Sequence, residues 1–334
     1  MNYKPLGHSG LMVSELCLGT MIFGEESDRS TDGATALAMI DQFLDAGGNF
    51  VDTADVYAGG RSEEIVGQAL RGKRDRVVLA TKVRGRTGDD PNDVGLSRRH
   101  VVAGVEASLR RLDTETVDLL YAHMWDPLTP IEETLRAFDD LVTAGKVRYL
   151  GVSNFRAWQV MKALGISDAH HWVRFIAAQY QYSLVERDSE REFTSLFETE
   201  GLGLVPWGPL GGGFLSGKYR RGEKPDTGRI ATTPDRAEEA WQRRATERNW
   251  RIVDAVGQIA EARGKTHAQV ALAWLLAQPS VTAPIVGART PEQLAGNLGA
   301  VGWELTAEEL DRLDEASAIR EGYPYRMIRV YGAR

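Results

Sequence analysis

The sequence predicts an α/β fold, a (β/α)8 TIM barrel with an N-terminal β-hairpin and an extra C-terminal helix. Three observations lead there. Eight short runs of β-branched, aromatic and other apolar residues recur along the 334 residues, of the kind buried on both faces of a parallel sheet. A longer amphipathic segment follows most of them, the alternation that βαβ units produce. No composition shift or Pro/Ser-rich linker divides the chain, so residues 1–334 read as one domain. Such alternation permits a barrel or an open doubly wound sheet, and the count of eight favours the barrel.

The elements follow in order. "YKPLGHSGLMVSEL" reads as a hairpin turning near His8–Gly10, placed to cap the bottom of the barrel. The expected strands are Leu16–Leu18, Phe50–Asp52, Val77–Thr81, Val117–Ala122, Tyr149–Val152, Ile176–Tyr180, Leu202–Val205 and Pro284–Val286. Among the helices, Ala34–Ala46 stops at Gly47-Gly48, a C-cap signal. Ser62–Leu70 comes next. Ser97–Arg111 carries Val102, Val105 and Leu109 at helical spacing, and Ile131–Ala144 carries Ile131, Leu135, Phe138 and Leu141. Ala157–Leu164, Glu190–Thr199, Trp250–Arg263 and Thr266–Ala277 complete the middle. Thr290-Pro-Glu-Gln293 is a capping box with Pro at the first helical position, opening Pro291–Leu298. The final helix, Thr306–Ile319, opens with Thr-x-x-Glu309. Arg220–Arg236 is rich in Arg, Gly, Pro and Asp and long for a plain connection, which marks it as functional or mobile.

Composition narrows the function classes. A net charge of −7 leaves no basic footprint for nucleic acid. The single cysteine, Cys17, excludes an intrachain disulfide and suits a reducing cytoplasm. Flanked by Leu16 and Leu18, it reads as a small core residue. "MNYKPLGHSG" has no apolar run of a signal peptide, and no stretch approaches the ~20 apolar residues of a membrane span. A cytoplasmic protein with no membrane partner is expected. His170-His171 has no Cys, His or carboxylate at ligand spacing, so it reads as a solvated loop and no metal is expected. A homo-oligomer is compatible with the sequence, which does not set the oligomeric state.

Chemistry in a barrel gathers where strand C-terminal ends converge. "NFVDTADVYAGGRSEE" starts as a buried strand, then places Asp52, Asp55 and Tyr57 at its exit. The next strand, "VVLATK", ends at Lys82, and "VDLLYAH" ends at His123. Each has a bland reading alone: a capping Asp, a solvated Lys, a satisfied core His. At three successive strand ends they make a group. An ammonium beside a phenol favours the phenolate and lowers the phenol's pKa. Asp52 could hold Lys82 charged, and His123 could donate to a carbonyl oxygen. The set suits protonation of an oxygen that becomes negative, as carbonyl reduction by hydride requires.

These residues lie within "GGNFVDTADVYAGGRSEEIVGQAL", "VVLATK", "VDLLYAH", "GKVRYLGVSNF", "VPWGPLGGGFLSGKY" and "PIVGARTPEQLAGNLGA". Together the motifs resemble the aldo-keto reductase family over nearly the whole chain. They sit closer to the branch of potassium-channel beta subunits, general stress reductases and deoxysugar reductases than to the aldose reductase branch. The resemblance implies an eight-stranded barrel and a nicotinamide cofactor, usually NADPH. It also implies a catalytic tetrad of Asp52, Tyr57, Lys82 and His123, with Tyr57 as general acid.

Cofactor residues can be read beside it. Ser153 and Asn154 in "GVSNF", and Gln179 at the end of the next strand, carry groups able to pair with a nicotinamide carboxamide, though Ser153 or Asn154 could simply cap the next helix. Trp207 would stack on the nicotinamide ring or fill the core. The family usually has Tyr there. Gly208, Pro209, Leu210, Gly211, Ser216, Gly217 and Lys218 allow close backbone approach and a cation for a pyrophosphate. Their spacing is not that of a Rossmann fingerprint. Gly287 and Arg289 precede a capped helix whose N-terminus suits an anion, and Gln293 and Asn297 share one face of it for the adenosine. Arg289 speaks for a 2′-phosphate and hence NADPH. Met21, Phe23, Val56 and Trp125, with Tyr323 or Tyr325, suit a small-carbonyl pocket. Arg84 and Arg86 would meet an anionic substrate or face water.

The expected function is NADPH-dependent reduction of aldehydes or ketones to alcohols. The alternatives are a deoxysugar-nucleotide (keto-sugar) reductase and an NADPH-binding redox-sensing subunit of a partner protein.

Overall fold

Parity along the strands decides where the site lies. In the computed structural model, which describes residues 1–24, 30–235 and 237–332, an antiparallel hairpin opens the chain. Its strands β1 (Tyr3–Pro5) and β2 (Met12–Ser14) pair Tyr3 with Ser14. Parallel strands follow: β3 (Cys17–Gly19), β4 (Phe50–Asp52), β5 (Val78–Val83) and β6 (Val117–Ala122). The second half adds β7 (Val147–Ser153), β8 (Phe175–Gln179), β9 (Gly203–Leu204) and β10 (Ile285–Val286). Their order in the sheet is β10-β3-β4-β5-β6-β7-β8-β9. The ring closes through backbone bonds from Thr282 N to Leu204 O (2.8 Å) and from Ile285 N to Pro206 O (2.8 Å). This is the (β/α)8 barrel.

Helices surround it: α1 (Gly33–Asp45), α2 (Arg61–Ala69), α3 (Arg98–Arg111), α4 (Ile131–Thr143), α5 (Ala157–His170) and α6 (Phe193–Glu200). Two short helices, α7 (Arg229–Thr232) and α8 (Trp241–Arg244), precede α9 (Glu247–Arg263) and α10 (His267–Leu276). Then come α11 (Pro291–Leu298), the expected extra helix α12 (Ala307–Ser317), and an unexpected α13 (Tyr325–Tyr331).

Successive strand residues face opposite sides. One set, with Cys17, Phe50, Val78, Ala80, Leu119, Tyr121, Ala177 and Val205, packs together with Leu6 and Val13 of the hairpin inside the barrel. The other, with Leu18, Val51, Leu79, Leu120 and Val152, packs against the helices. Continuing the inner series by two residues reaches Asp52, Lys82, His123, Gln179 and Trp207. The polar residues are the top layer of the barrel interior.

Three expectations need correction. Strand β5 runs to Val83, so Lys82 lies within the strand and is fully buried. Helix α5 continues to His170, and His171 is its left-handed C-cap at φ 56°, so the histidine pair ends a helix and is not a loop. Within Arg220–Arg236, Ile230 is fully buried and anchors α7, because one large apolar side chain suffices to pin a short helix against the barrel rim. Arg236 lies outside the described residues.

Candidate active site

Lys82 spends all three of its N–H donors. They go to Asp52 Oδ2 at 2.6 Å, the Thr53 carbonyl at 2.8 Å and Tyr57 Oη at 3.0 Å. The phenol oxygen therefore accepts from the ammonium, which leaves its own proton for another acceptor. Asp52 is buried, and its Oδ1 accepts from Gln179 Nε2 at 2.8 Å. Tyr57 stands on the turn after β4, partly exposed, with its ring edge-on to His123 at 6.1 Å.

Charge states follow from burial and neighbours. Burial alone would lower the Lys82 pKa, but the Asp52 charge, Tyr57 and the hydrogen bonds to both raise it, so the ammonium stays charged. Tyr57 departs from expectation. Its pKa is raised, because burial outweighs the pull of Lys82. The phenol is thus protonated at neutral pH, the form a proton donor needs. His123 is held down to about 3 by burial and by the positive charges of Lys82 and Arg84, so its imidazole is neutral. Asp55, also buried, is pushed up to about 7 by burial and by the nearby Glu63 carboxylate.

The polar groups on the next strands are already paired with one another. Ser153 Oγ donates to the Gln179 carbonyl at 2.8 Å and accepts from Asn154 Nδ2 at 2.8 Å. Asn154 Nδ2 also donates to the His123 carbonyl at 3.0 Å, and its Oδ1 accepts from Trp207 Nε1 at 3.3 Å. Gln179 is committed to Asp52 and Ser153, so a ligand reaching these amides must share or exchange those bonds.

The glycine-rich turn after Trp207 and Pro209 forms a cradle. Gly208, Gly211, Gly212 and Gly213 all take positive φ, between 57° and 90°, which glycine adopts at no steric cost. Leu210 precedes a 3-10 turn over Gly211–Ser216, and Gly217 ends it at φ 74°. Lys218 lies close enough to Arg289 that, with burial, the second cation lowers its pKa. Gln293 Oε1 accepts from the Arg289 N–H at 3.0 Å, and Asn297 Nδ2 donates to the Gly287 carbonyl at 3.2 Å. Those side chains shape the turn into α11, and the Arg289 side chain stays exposed.

A model of the aldo/keto reductase family matches residues 15–318. The chain belongs to the aldo/keto reductase family. It is 39% identical over 321 residues to a probable voltage-gated potassium channel subunit beta of Oryza sativa subsp. japonica, covering 94% of this chain and 96% of that one. It is 39% identical over 326 residues to the uncharacterized oxidoreductase YrpG of Bacillus subtilis (94% and 95% covered). A third relative, norsolorinic acid reductase stcV of Emericella nidulans, is 37% identical over 329 residues (95% and 81% covered). Membership and these reductase relatives support an oxidoreductase acting on carbonyl groups.

Other members of the expected set are scattered in this aldo/keto reductase. Met21, Val56 and Trp125 are partly exposed at the barrel mouth. Phe23 is fully buried among core residues, its backbone bridged to Thr31, so it packs the mouth and offers no open contact face. Tyr325 lies on α13 and donates to Glu192 at 2.8 Å, while Tyr323 is largely exposed. One feature of the mouth carried no local sequence signal. Arg229 of α7 raises the positive charge around Tyr57 and pairs with buried Glu239 at 2.5 Å. It reaches the site only because the chain folds back after Lys218.

Proposed function

We propose that the protein reduces aldehydes or ketones to alcohols with NADPH, and that Tyr57 is the general acid. The observation that carries this reading is the threefold use of Lys82, which leaves the Tyr57 proton free. Bound at the mouth, the nicotinamide would supply hydride to the carbonyl carbon. Tyr57 O–H and a His123 N–H would hold the carbonyl oxygen, and the Tyr57 proton would pass to that oxygen as it becomes negative. Lys82 would then stabilise the phenolate, and Asp52 keeps Lys82 charged in the buried layer.

The residues fit such a cofactor. Two cations, Lys218 and Arg289, are held near each other with no acidic side chain pairing either among the described residues, an arrangement that suits phosphate groups. The positive-φ glycines carry no side chains, so the backbone of the turn can come close to such groups. Trp207 supplies a face for the nicotinamide ring.

The channel-subunit relatives favour a second reading, an NADPH-binding redox sensor of a partner protein. Turnover separates the two. Reduction of 4-nitrobenzaldehyde, followed by loss of NADPH absorbance, is expected to run through many cycles. Tight cofactor binding with no turnover of any carbonyl would support the sensor. A keto-sugar nucleotide reduced far better than simple aldehydes would instead mark a deoxysugar reductase.

A further inference from the structure

Beside the Tyr57–His123 pair, Arg84 forms no ion pair among the described residues. Val83 of β5 pairs with Ala122 of β6, and the His123 N–H donates to the Val83 carbonyl at 3.1 Å. Arg84 and His123 therefore leave adjacent strand ends side by side. Arg84 takes φ 156°, a backbone conformation L side chains rarely adopt. Such strain persists only when the surroundings impose it, and it clusters at functional sites. The surroundings here are explicit. The Arg84 carbonyl accepts from Gly95 N at 2.9 Å, and a Cβ at the following Gly85 would lie 2.2 Å from Val56 Cγ1, beside Tyr57.

The Arg84 side chain is partly buried, and its Nε is sealed from solvent without a hydrogen-bond partner. Among the described residues no carboxylate forms an ion pair with it. The acid that feels its charge, Asp126, is already engaged. Its Oδ2 accepts from the Leu96 N–H (2.8 Å) and the Thr129 hydroxyl (2.7 Å), and its Oδ1 from the Leu128 N–H (3.0 Å). Of the other cations that bear on Tyr57, Lys82 serves Asp52 and Tyr57, and Arg229 serves Glu239, while Lys218 and Arg289 stand apart at the proposed phosphate site. A donor sealed from water with no partner is costly, and the planar guanidinium fork matches a carboxylate.

We propose that Arg84 binds a carboxylate on the substrate, so that the preferred carbonyl compounds are oxo-acids. This rests on the carbonyl-reductase reading and adds the substrate class. The guanidinium would fix the acid group on the β5 side while Tyr57 and His123 hold the carbonyl oxygen.

The test compares 4-carboxybenzaldehyde with 4-(hydroxymethyl)benzaldehyde, of similar size and no charge, at saturating NADPH. The wild-type ratio of kcat/KM should favour the acid. In Arg84→Gln that ratio should fall by about 10- to 100-fold, the worth of a charged hydrogen bond, mainly through KM for the acid. Arg84→Lys keeps the charge and should retain much of the ratio. In the wild type, benzoate should compete with the neutral aldehyde and benzamide should not, a measurement that needs no variant to fold. A ratio unchanged in Arg84→Gln, or equal inhibition by benzoate and benzamide, overturns the proposal. Wild-type protein that reduces neither aldehyde overturns the carbonyl-reductase reading itself.

Discussion

Asp55, three residues after Asp52 and two before Tyr57, has no part in the proposed chemistry. Its side chain is buried beside Glu63, whose own oxygens are taken by Thr81 (2.5 Å) and Arg111 (2.7 Å). Folded, it titrates near 7; unfolded, near the usual 3.8. Between those values the folded chain keeps a proton that the unfolded chain has lost. Its contribution to stability is therefore complete below the unfolded value and is lost as pH rises through 7. Asp55→Asn should melt higher than wild type at pH 8, by up to a few kcal/mol in stability, with the difference closing toward pH 4. Melting curves of the two proteins that stay parallel across that range would refute this. Asp52, Lys82 and His123 were legible in the sequence, because a strand's period of two carries the inner face from Phe50, Ala80 and Tyr121 onto them. The direction of the Tyr57 shift was not legible. A neighbouring ammonium can be read from spacing, but the depth of burial that outweighs it belongs to the assembled mouth.

Among the elements, α7 and α11 flank the proposed diphosphate site. Ile230 sits against the glycine turn, where a Cβ at Gly212 would lie 3.3 Å from its Cγ1, and Arg229 is tied to Glu239. The stretch from Arg220 to Thr227 is mostly exposed, held by Arg221 to Glu247 and Asp254 at 3.0 Å each. We predict a lid hinged on α7 that slows cofactor release. Limited trypsinolysis of the cofactor-free protein should cut first after Arg220 and Arg221. Lys224 is followed by Pro225 and should resist, and saturating NADPH should protect the window. Equal cleavage rates with and without NADPH would reduce the segment to a surface insertion. At α11, Arg289→Leu should weaken NADPH by about 1.5–3 kcal/mol and leave NADH nearly unchanged, as a binding titration would show. Equal weakening of both would remove Arg289 from the 2′-phosphate. The sequence marked α11 through its capping box, a local signal. It left α7 as loop, because a four-residue helix has no periodicity and owes its existence to burial of Ile230.

Over the whole molecule, the barrel brings together residues far apart in sequence. Asp52 on β4 joins Lys82 on β5 and Gln179 on β8, so one buried carboxylate ties strands across the ring. Lys82→Met should leave that charge without its partner and cost about 3–5 kcal/mol. Adding Asp52→Asn should recover part of the loss, and denaturant midpoints showing simple additivity would contradict the coupling. Alternation of short apolar runs and amphipathic segments made the eight-stranded ring readable. The last strand pair is shorter than expected, Gly203–Leu204 and Ile285–Val286, and the ring closes through single backbone bonds at Leu204, Pro206, Thr282 and Ile285 whose register only the assembled barrel sets. The hydrogen bond from Trp207 to Asn154 was not legible, because both residues carry sequence signals but their pairing across 53 residues depends on how the strands stand in the ring. The central claim is that Lys82 holds the Tyr57 oxygen while Tyr57 delivers a proton to the reduced carbonyl. Its most direct test is Tyr57→Phe, which keeps the ring and removes the donor. Aldehyde reduction, followed by NADPH absorbance, should fall by about 100-fold or more with NADPH affinity nearly unchanged. Turnover that survives near the wild-type rate would contradict the account.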